Sequence, residues 1–401
     1  MKKKLDAVNL EEVRKQNLTT VMKIIHKSKV CSRSEIAEES GLQQSTITNL
    51  VNLLIEHGIV KETGLIDGKR GRRSIGLALS HDKFAVIGIR ITRSAYAIGR
   101  FNIDGKYDTL IQNDFKKSVQ LQDILEEICC DTQKLIDSSQ IPVAAIGLAV
   151  PGPFMVKESR FMRVSYTNGW EGIRIKDWLS QRFEIPVLVE HDANAGVLAE
   201  WWFGSGNIQK GTYIYIAAGY GIGAGIIVDG TVFHGAIGTA GEFGHMSINY
   251  SGPQCSCGNY GCLELYSSTH AISQYIENEL KINSKTTNAK SLRFEDILAA
   301  YHCKDALATE AINSSCYCLS LGIVNLINLF NPEGIIIGDE MAKIGSPLFE
   351  TLNKNIKERV AKELYENTLI MRSSFEQDAA LFGAGALAID HVLQNPNELI
   401  I

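Results

Sequence analysis

The sequence lacks long hydrophobic runs. Nowhere in its 401 residues do about eighteen apolar residues follow one another, the length that a membrane-spanning helix needs. The charged start, Met1 to Asp6, is not followed by the apolar segment that a secretory signal peptide requires. We therefore expect a cytoplasmic protein that neither crosses nor binds a membrane.

A disulfide framework is also missing. The chain has nine cysteines, an odd number, and six of them lie in apolar or predicted helical segments. These six are Cys31, Cys129, Cys130, Cys303, Cys316 and Cys318. This distribution favours reduced thiols in the cytoplasm over a set of disulfide bonds.

Charge is unevenly distributed along the chain. Residues 1–80 hold 14 lysines and arginines against 9 acidic residues, a net charge of +5. The whole chain carries −5, so residues 81–401 carry −10. A basic first segment on an acidic body indicates that the first segment alone meets a polyanion such as DNA.

Three thiols and one imidazole occur within a short, glycine-rich stretch. Zinc in structural sites prefers four sulfur and nitrogen ligands in a tetrahedron, and we predict one structural Zn²⁺ per chain. Its ligands would be His245, Cys255, Cys257 and Cys262. The alternative is a set of buried free cysteines beside a surface histidine. The acids Glu242 and Glu264 are not needed as ligands, so they are available to accept hydrogen bonds from a polyol.

The first eighty residues predict a winged helix-turn-helix. Apolar residues recur at helical spacing over 10–26, and Ser32 with Glu35 forms a capping box at the start of a second helix. Gly41 ends that helix, and a third amphipathic helix ends near His57. The outward side chains at its start suit base edges and phosphates in a major groove, although a solvated polar face is the simpler alternative. These side chains are Gln43, Gln44, Ser45, Thr46, Thr48 and Asn49.

A basic hairpin follows the third helix. We predict strands over 59–63 and 74–79 around a loop over 64–71. The loop and its exit carry Lys69, Arg70, Arg72 and Arg73. A glycine-flanked basic wing can follow phosphates or enter a narrow minor groove.

The chain resembles the ROK family, whose name joins repressors, open reading frames and sugar kinases. In that family, motifs like GExGH (241–245) and CxCGxxGCxE (255–264) form a structural zinc site beside a sugar pocket. The resemblance covers nearly the whole chain, including a head similar to that of ROK repressors. Family members often place proline after the Gly-Arg of the wing. Here Arg73 stands there, so the wing should be less stiff and more charged.

Strands and helices alternate after residue 82, in two successive halves. The resemblance implies an α/β fold: a winged helix-turn-helix (1–80) before a two-lobed, actin-like, hexokinase-type sugar-binding domain. We place the first lobe at 81–200 and the second, with the zinc site, at 201–401. The C-terminal helix should return to the first lobe. Ligands in such sheets sit at strand ends between the lobes.

The resemblance also implies a sugar site. In ROK kinases the residue matching Asp192 is the general base, and the Asn of the motif at 168–170 contacts the sugar. His191 stands where kinases usually have Asn, which favours regulation. The predicted sugar contacts are Asn168, Asp192, Glu242, His245 and Glu264. For Asp192 alone, a helix N-cap is an equal alternative, and Trp170 is more consistent with core packing.

The phosphate-binding motifs of the kinases are altered. The family kinases begin with G-x-D-x-G-G-T, but here residues 88–94 read Gly-Ile-Arg-Ile-Thr-Arg-Ser. Arg90 replaces the acid that helps hold magnesium, and both later glycines are absent. The second glycine-rich loop, 218–225, carries Tyr220 where kinases have Thr. We expect no catalytic residues and no sugar kinase activity.

The sequence therefore predicts a cytoplasmic, sugar-responsive repressor of carbohydrate-utilisation genes. Its expected partners are operator DNA, a monosaccharide effector and further copies of itself, as a homodimer or homotetramer that places two heads on a palindrome. Two alternatives stay open at this point. One is an active ATP-dependent sugar kinase with an added DNA-binding head, and the other is a repressor controlled by a sugar-transport protein.

Overall fold

The chain forms a small N-terminal head followed by two α/β lobes. The computed structural model describes residues 9–67, 73–115, 121–162, 170, 173–206, 208, 210–283, 285–376 and 378–400. All statements below concern these residues.

The head consists of three helices and a hairpin. Its elements are α1 (Leu10–Ser28), α2 (Arg33–Ser40), α3 (Gln44–Glu56), β1 (Val60–Asp67) and β2 (Arg73–Leu79). The predicted capping box is present, because Ser32 and Glu35 each accept a hydrogen bond from the other's backbone amide. Gly41 ends α2 with a φ of 70°. Apolar residues of all three helices share one core with β2, so the segment is a helix-turn-helix followed by a hairpin.

The hairpin is longer than its sequence predicts. The predicted loop over 64–71 is wrong at its start, because β1 continues to Asp67, which pairs with Arg73. Gly64 has a φ of 97° and lies where the strand register shifts. The glycine therefore marks an irregularity inside a strand and not the strand's end. Arg70 and Arg72 lie outside the described residues.

The first lobe is built on a five-stranded sheet. Its elements are β3 (Ala85–Ile91), β4 (Ala95–Phe101), β5 (Tyr107–Asp114), α4 (Leu121–Asp137), β6 (Val143–Val150), β7 (Phe154–Met155), β8 (Arg160–Phe161), α5 (Ile175–Ser180) and β9 (Val187–His191). The sheet order is β5-β4-β3-β6-β9. The first three strands are antiparallel, and β6 and β9 then run parallel to β3. Trp170 is 4% exposed in the core of this lobe, as expected.

The second lobe repeats this topology. Between the lobes in the chain runs α6 (Asp192–Phe203). The second lobe comprises β10 (Thr212–Ala218), β11 (Ile222–Val228), β12 (Thr231–Val232), a 3-10 helix (Phe243–His245), α7 (Glu264–Ser267), α8 (Thr269–Ile282), α9 (Phe294–His302), α10 (Ala306–Phe330), β13 (Gly334–Gly338), α11 (Asp339–Ala342), α12 (Ser346–Arg359), α13 (Lys362–Asn367) and β14 (Leu369–Arg372). Its sheet order is β12-β11-β10-β13-β14, again three antiparallel strands followed by two parallel ones. The repeat gives the two-lobed, actin-like architecture.

Two helices fill the space between the sheets. The last two elements of the described chain are α14 (Ala379–Gln394) and a 3-10 turn (Pro396–Glu398). Helix α14 packs on β3 and β6 of the first lobe, and α6 packs on β10 and β11 of the second. The two helices also pack closely on each other. A Cβ atom added to Gly147 would lie 1.9 Å from the Ala384 carbonyl oxygen, so glycine allows the backbones to approach this closely.

One described helix, α10, is long and apolar enough to cross a membrane by length and composition alone. Half of its apolar window is buried inside the protein. Leu319, Ile323 and Ile327 are buried in the core of the second lobe, between the sheet and α12. Its apolar character is explained by its place in that core.

Candidate functional site: a cleft between the lobes

A cleft of about 930 Å³ separates the two lobes. Strand β9 ends in it at His191, α6 starts in it at Asp192, and α14 starts beside Asp378. Residues from the second lobe complete it, among them the β10–β11 turn. Polar groups from both lobes therefore converge on one space, as the strand-end rule predicts.

Four of the five predicted sugar contacts line this cleft: Asp192, Glu242, His245 and Glu264. The fifth, Asn168, lies outside the described residues. Asp192 lies close to the imidazole of His191, with 3.2 Å between His191 Nε2 and Asp192 Oδ1. Burial raises the pKa of Glu242, against the opposing attraction of His191 and His245. The Ile222 amide donates to Glu264 Oε2 over 3.1 Å, which ties this acid to the β10–β11 turn.

The four predicted metal ligands come together beside these acids. The side-chain donor atoms of His245, Cys255, Cys257 and Cys262 all lie within 4.8 Å of one another. Cys255 Sγ is 3.7 Å from His245 Nδ1, and Cys257 Sγ is 3.7 Å from Cys262 Sγ. Two sulfurs about 2.3 Å from a tetrahedral zinc would lie roughly 3.8 Å apart. The donor set therefore has the composition and spacing to hold a metal ion.

The imidazole of His245 faces both the thiols and the cleft. Its Nδ1 is directed at Cys255, whereas its Nε2 lies 3.8 Å from Glu242 Oε2. Tight turns bring the cysteines to the histidine: the Cys255 amide donates to the Asn259 carbonyl over 2.7 Å. A ligand at Nδ1 would fix Nε2 as the N–H donor that faces the acid.

Arg90 occupies the other part of the cleft as a largely buried cation. It forms a salt bridge with Asp378, and its guanidinium is 3.9 Å from Asp339 Oδ2. Burial alone would lower the pKa of Arg90, but Asp378, Asp339 and Asp192 raise it well above its usual value. Burial raises the pKa of Asp339 to about 6, although Arg90 opposes that shift. The arginine thus ties β3 of the first lobe to α14 and to the second lobe.

The β10–β11 turn carries an aromatic ring at the mouth of the cleft. Tyr220 is 47% exposed, and it stacks on His270 with ring centroids 4.8 Å apart. The guanidinium of Arg93 lies 5.3 Å from the Tyr220 ring. Arg90, Arg93 and Tyr220 all line the cleft.

A second tie between the lobes involves Glu190 on β9. Glu190 is 3% exposed and accepts from the His191 amide and from Asn194 Nδ2, each over 2.9 Å. Its other oxygen lies 2.7 Å from Nε2 of His234, in the segment after β12. The hydrogen bond to Glu190 raises the pKa of His234, although burial opposes the shift.

The head presents the predicted DNA-contacting side chains at the start of α3. Gln43, Gln44, Ser45 and Asn49 are exposed, and Thr46 and Thr48 are half-buried. The Thr48 hydroxyl donates to the Gln44 carbonyl over 2.8 Å. At the wing, Arg73 is exposed where β2 begins.

The sequence patterns missed the acids that surround Arg90 and the partner of Glu190. Asp378 precedes an apolar helix and accepts a hydrogen bond from the Leu381 amide over 3.1 Å, so its position as a helix cap could be predicted from the sequence. Its pairing with Arg90 could not be predicted, because 288 residues separate the two. Nothing in the local pattern marks His234 as the partner of Glu190.

Comparison with known proteins agrees with this geometry. The ROK family profile matches residues 87–391. The chain belongs to the ROK family. A xylose repressor from Caldicellulosiruptor bescii is 32% identical over 393 residues, covering 95% of this chain and 97% of the relative.

Solved structures show the same fold. A ROK family transcriptional regulator, a homologue of the Escherichia coli MLC protein, is 26% identical with a TM-score of 0.82, and the match covers 97% of this chain and 99% of the regulator. A ROK family glucokinase from Streptomyces griseus is 24% identical with a TM-score of 0.67, covering 76% of this chain and 99% of the kinase. The regulator matches the head as well as the lobes, whereas the kinase supports the fold of the lobes alone.

The tie between Glu190 and His234 predicts a pH dependence of stability. Because the folded pKa of His234 is raised above 6.5, the native state binds the extra proton more tightly. The stability contributed by the pair is fully present below about pH 6.5 and is lost as the pH rises through the raised pKa. Urea unfolding between about pH 5.5 and 9 measures the difference in unfolding free energy between the wild type and His234→Gln. This difference should shrink with rising pH. A His302→Gln variant, changed at a histidine on the surface, is the matched control. A difference that is constant with pH would contradict the assigned pairing.

Proposed function

We propose that this ROK protein is a cytoplasmic, sugar-responsive repressor that binds operator DNA and controls carbohydrate-utilisation genes. One observation carries the proposal: a helix-turn-helix head is joined to a cleft in which Arg90, paired with Asp378, stands in place of the magnesium-binding acid of the kinases. Repressor relatives of similar length support it. The active sugar kinase is not favoured.

DNA binding is assigned to the start of α3 and to the wing. The exposed amides of Gln43, Gln44 and Asn49 suit base edges, and Ser45, Thr46 and Thr48 suit bases or phosphates. The exposed Arg73, with Arg70 and Arg72 of the same wing, would contact phosphates or groove walls. A homodimer or homotetramer would place two heads on the two halves of a palindromic operator.

Sugar binding is assigned to the acid-rich part of the cleft. Asp192 comes from the first lobe, and Glu242, His245 and Glu264 come from the second. Asn168, preceding the buried Trp170, would add a contact from the first lobe. Carboxylates and an imidazole N–H can together accept from and donate to neighbouring ring hydroxyls. A monosaccharide would therefore bind both lobes and bias the angle between them.

Phosphoryl transfer is not part of the proposed function. A kinase needs magnesium and backbone amides around the transferred phosphate. Here Arg90 takes the place of the acid and is already paired with Asp378. Arg93, from the residues that match the first phosphate loop, lies 5.3 Å from the ring of Tyr220, which stands where the kinases place Thr in the second loop. Asp192 is thus proposed as a sugar contact and not as a catalytic base.

The metal is proposed to be one structural Zn²⁺ per chain, held by His245, Cys255, Cys257 and Cys262. Four protein ligands leave no open position, which is typical of structural zinc. The ion would orient the histidine ring towards Glu242 and so join the metal site to the sugar site.

Elemental analysis tests the metal. Protein purified without chelator should hold about one zinc per chain, and Cys257→Ser should lose zinc and unfold at a lower temperature. Cys303→Ser is the matched control, since both cysteines are exposed but only Cys257 is in the cluster. Metal-free wild-type protein of unchanged stability would rule out a structural metal.

A Glu242→Ala variant tests the effector site. The loss of a charged hydrogen bond of roughly 1.5–3 kcal/mol should weaken sugar binding about ten- to a hundredfold. The DNA is a duplex selected from a randomised library. The variant should still bind this DNA, but its DNA binding should respond to sugar only at much higher sugar concentrations. A fluorescence anisotropy titration over a panel of free and phosphorylated monosaccharides measures both properties.

The matched control for Glu242→Ala is Glu340→Ala. Glu340 also lines the cleft, but it accepts a hydrogen bond from the Thr269 hydroxyl over 2.7 Å and is not among the proposed sugar contacts. This control should respond at the wild-type sugar concentration. If Glu242→Ala is released from DNA as readily as the wild type, the effector pocket lies elsewhere.

A further inference from the structure

Two helices begin in the cleft. Asp192 is the first residue of α6, and Asp378 is the N-cap of α14. Arg90 bonds directly to Asp378, and the charge of Asp192 also acts on it. The N-terminal ends of both helices are therefore held at one charged centre.

The same two helices end at the DNA-binding head. Trp202, in the last turn of α6, lies with its ring centroid 4.8 Å from that of His26 on α1. At the other end of α14, Asp390 pairs with Lys23 of α1 over 2.8 Å.

Two further bonds join the end of α14 to α1. The Thr19 hydroxyl donates to the Gln394 carbonyl over 3.3 Å. Lys15 Nζ donates to Asn395 Oδ1 over 2.7 Å. Helix α1 therefore contacts the C-terminal ends of both helices that start in the cleft.

The contact between α6 and α14 leaves little room for independent movement. A Cβ atom on Gly383 would lie 1.7 Å from the Ala195 carbonyl oxygen. Ala195, Ala380 and Ala384 form a small buried cluster between the helices and β6. The side chains at this contact are short, so they cannot absorb a movement by changing rotamer. A displacement of one helix end is therefore transmitted along the pair.

We propose that α6 and α14 form one coupling element that transmits the state of the cleft to the DNA-binding head. The proposal rests on the proposed function and assigns its regulation. A polyol whose hydroxyls donate to Asp192 weakens the attraction of that carboxylate for Arg90 and so shifts the starts of both helices. The helices span about 18 and 24 Å. At their far ends the shift alters the packing of Trp202 on His26 and the polar bonds to α1.

Hydrogen–deuterium exchange of the full-length protein tests the coupling without knowledge of the natural effector. Arg90→Met removes the tie at the cleft end, and Asp378→Asn weakens it while keeping a good N-cap. Both variants should speed exchange in α1 at least about fivefold, with α8 and α12 unchanged. Lys343→Met, the loss of another cleft-lining cation, is the matched control and should leave α1 unchanged.

Normal α1 exchange in both Arg90→Met and Asp378→Asn, with faster exchange in the cleft, would overturn the coupling. If Arg90→Met speeds exchange along the whole chain, the Asp378→Asn result decides, because that change preserves the helix start.

A second arm separates the coupling from the proposed function. D-xylose, D-glucose and N-acetyl-D-glucosamine are each added to the wild type. A sugar that protects the cleft should also alter exchange in α1, and in Asp390→Asn the cleft should stay protected while the α1 response shrinks. Protection of the cleft without any change in α1 would overturn the coupling and leave the sugar pocket standing. Absence of protection by all three sugars would count against the proposed effector class. The exchange rates of α1 in Arg90→Met and Asp378→Asn would still test the coupling.

Discussion

The salt bridge between Arg90 and Asp378 is the interaction on which the arrangement of the cleft depends. Three carboxylates, those of Asp192, Asp339 and Asp378, converge at the starts of α6, α11 and α14. Like charges this close would repel in a largely buried site unless a cation lay among them. The guanidinium supplies that cation permanently. It joins the first sheet, the second lobe and the C-terminal helix.

The His/Cys cluster organises another part of the cleft. Nδ1 of His245 faces the thiols and Nε2 faces Glu242, so the ring connects the proposed metal site to the proposed sugar site. Glu264 likewise has two roles. It is the first residue of α7, beside the cluster, and it accepts a hydrogen bond from the Ile222 amide. The part of the cleft near the His/Cys cluster is thus held by local turns, and the part around Arg90 is held by charges from distant parts of the chain.

This difference between local and long-range contacts explains which features could be predicted from the sequence. The grouping of the four proposed metal ligands was predictable because they lie within eighteen residues of one another, 245 to 262, in glycine-rich turns. The helix-turn-helix was predictable from a capping box and apolar periodicity, which are also local. The end of β1 was misplaced because Gly64 accommodates an irregular strand that continues beyond it. The partners of Arg90 and Glu190 were not predictable, since distant parts of the chain bring them together only in the folded protein.

The proposed loss of the nucleotide site, with Arg90 paired to Asp378 in its place, is the central claim. It is tested most directly by a coupled phosphoryl-transfer assay with ATP, magnesium and a panel of sugars. The account predicts no turnover above a protein-free blank with any sugar, because Arg90 and Arg93 remove the support for magnesium and phosphate. Sugar-dependent turnover that Asp192→Asn abolishes would contradict it and would assign Asp192 the role of a catalytic base.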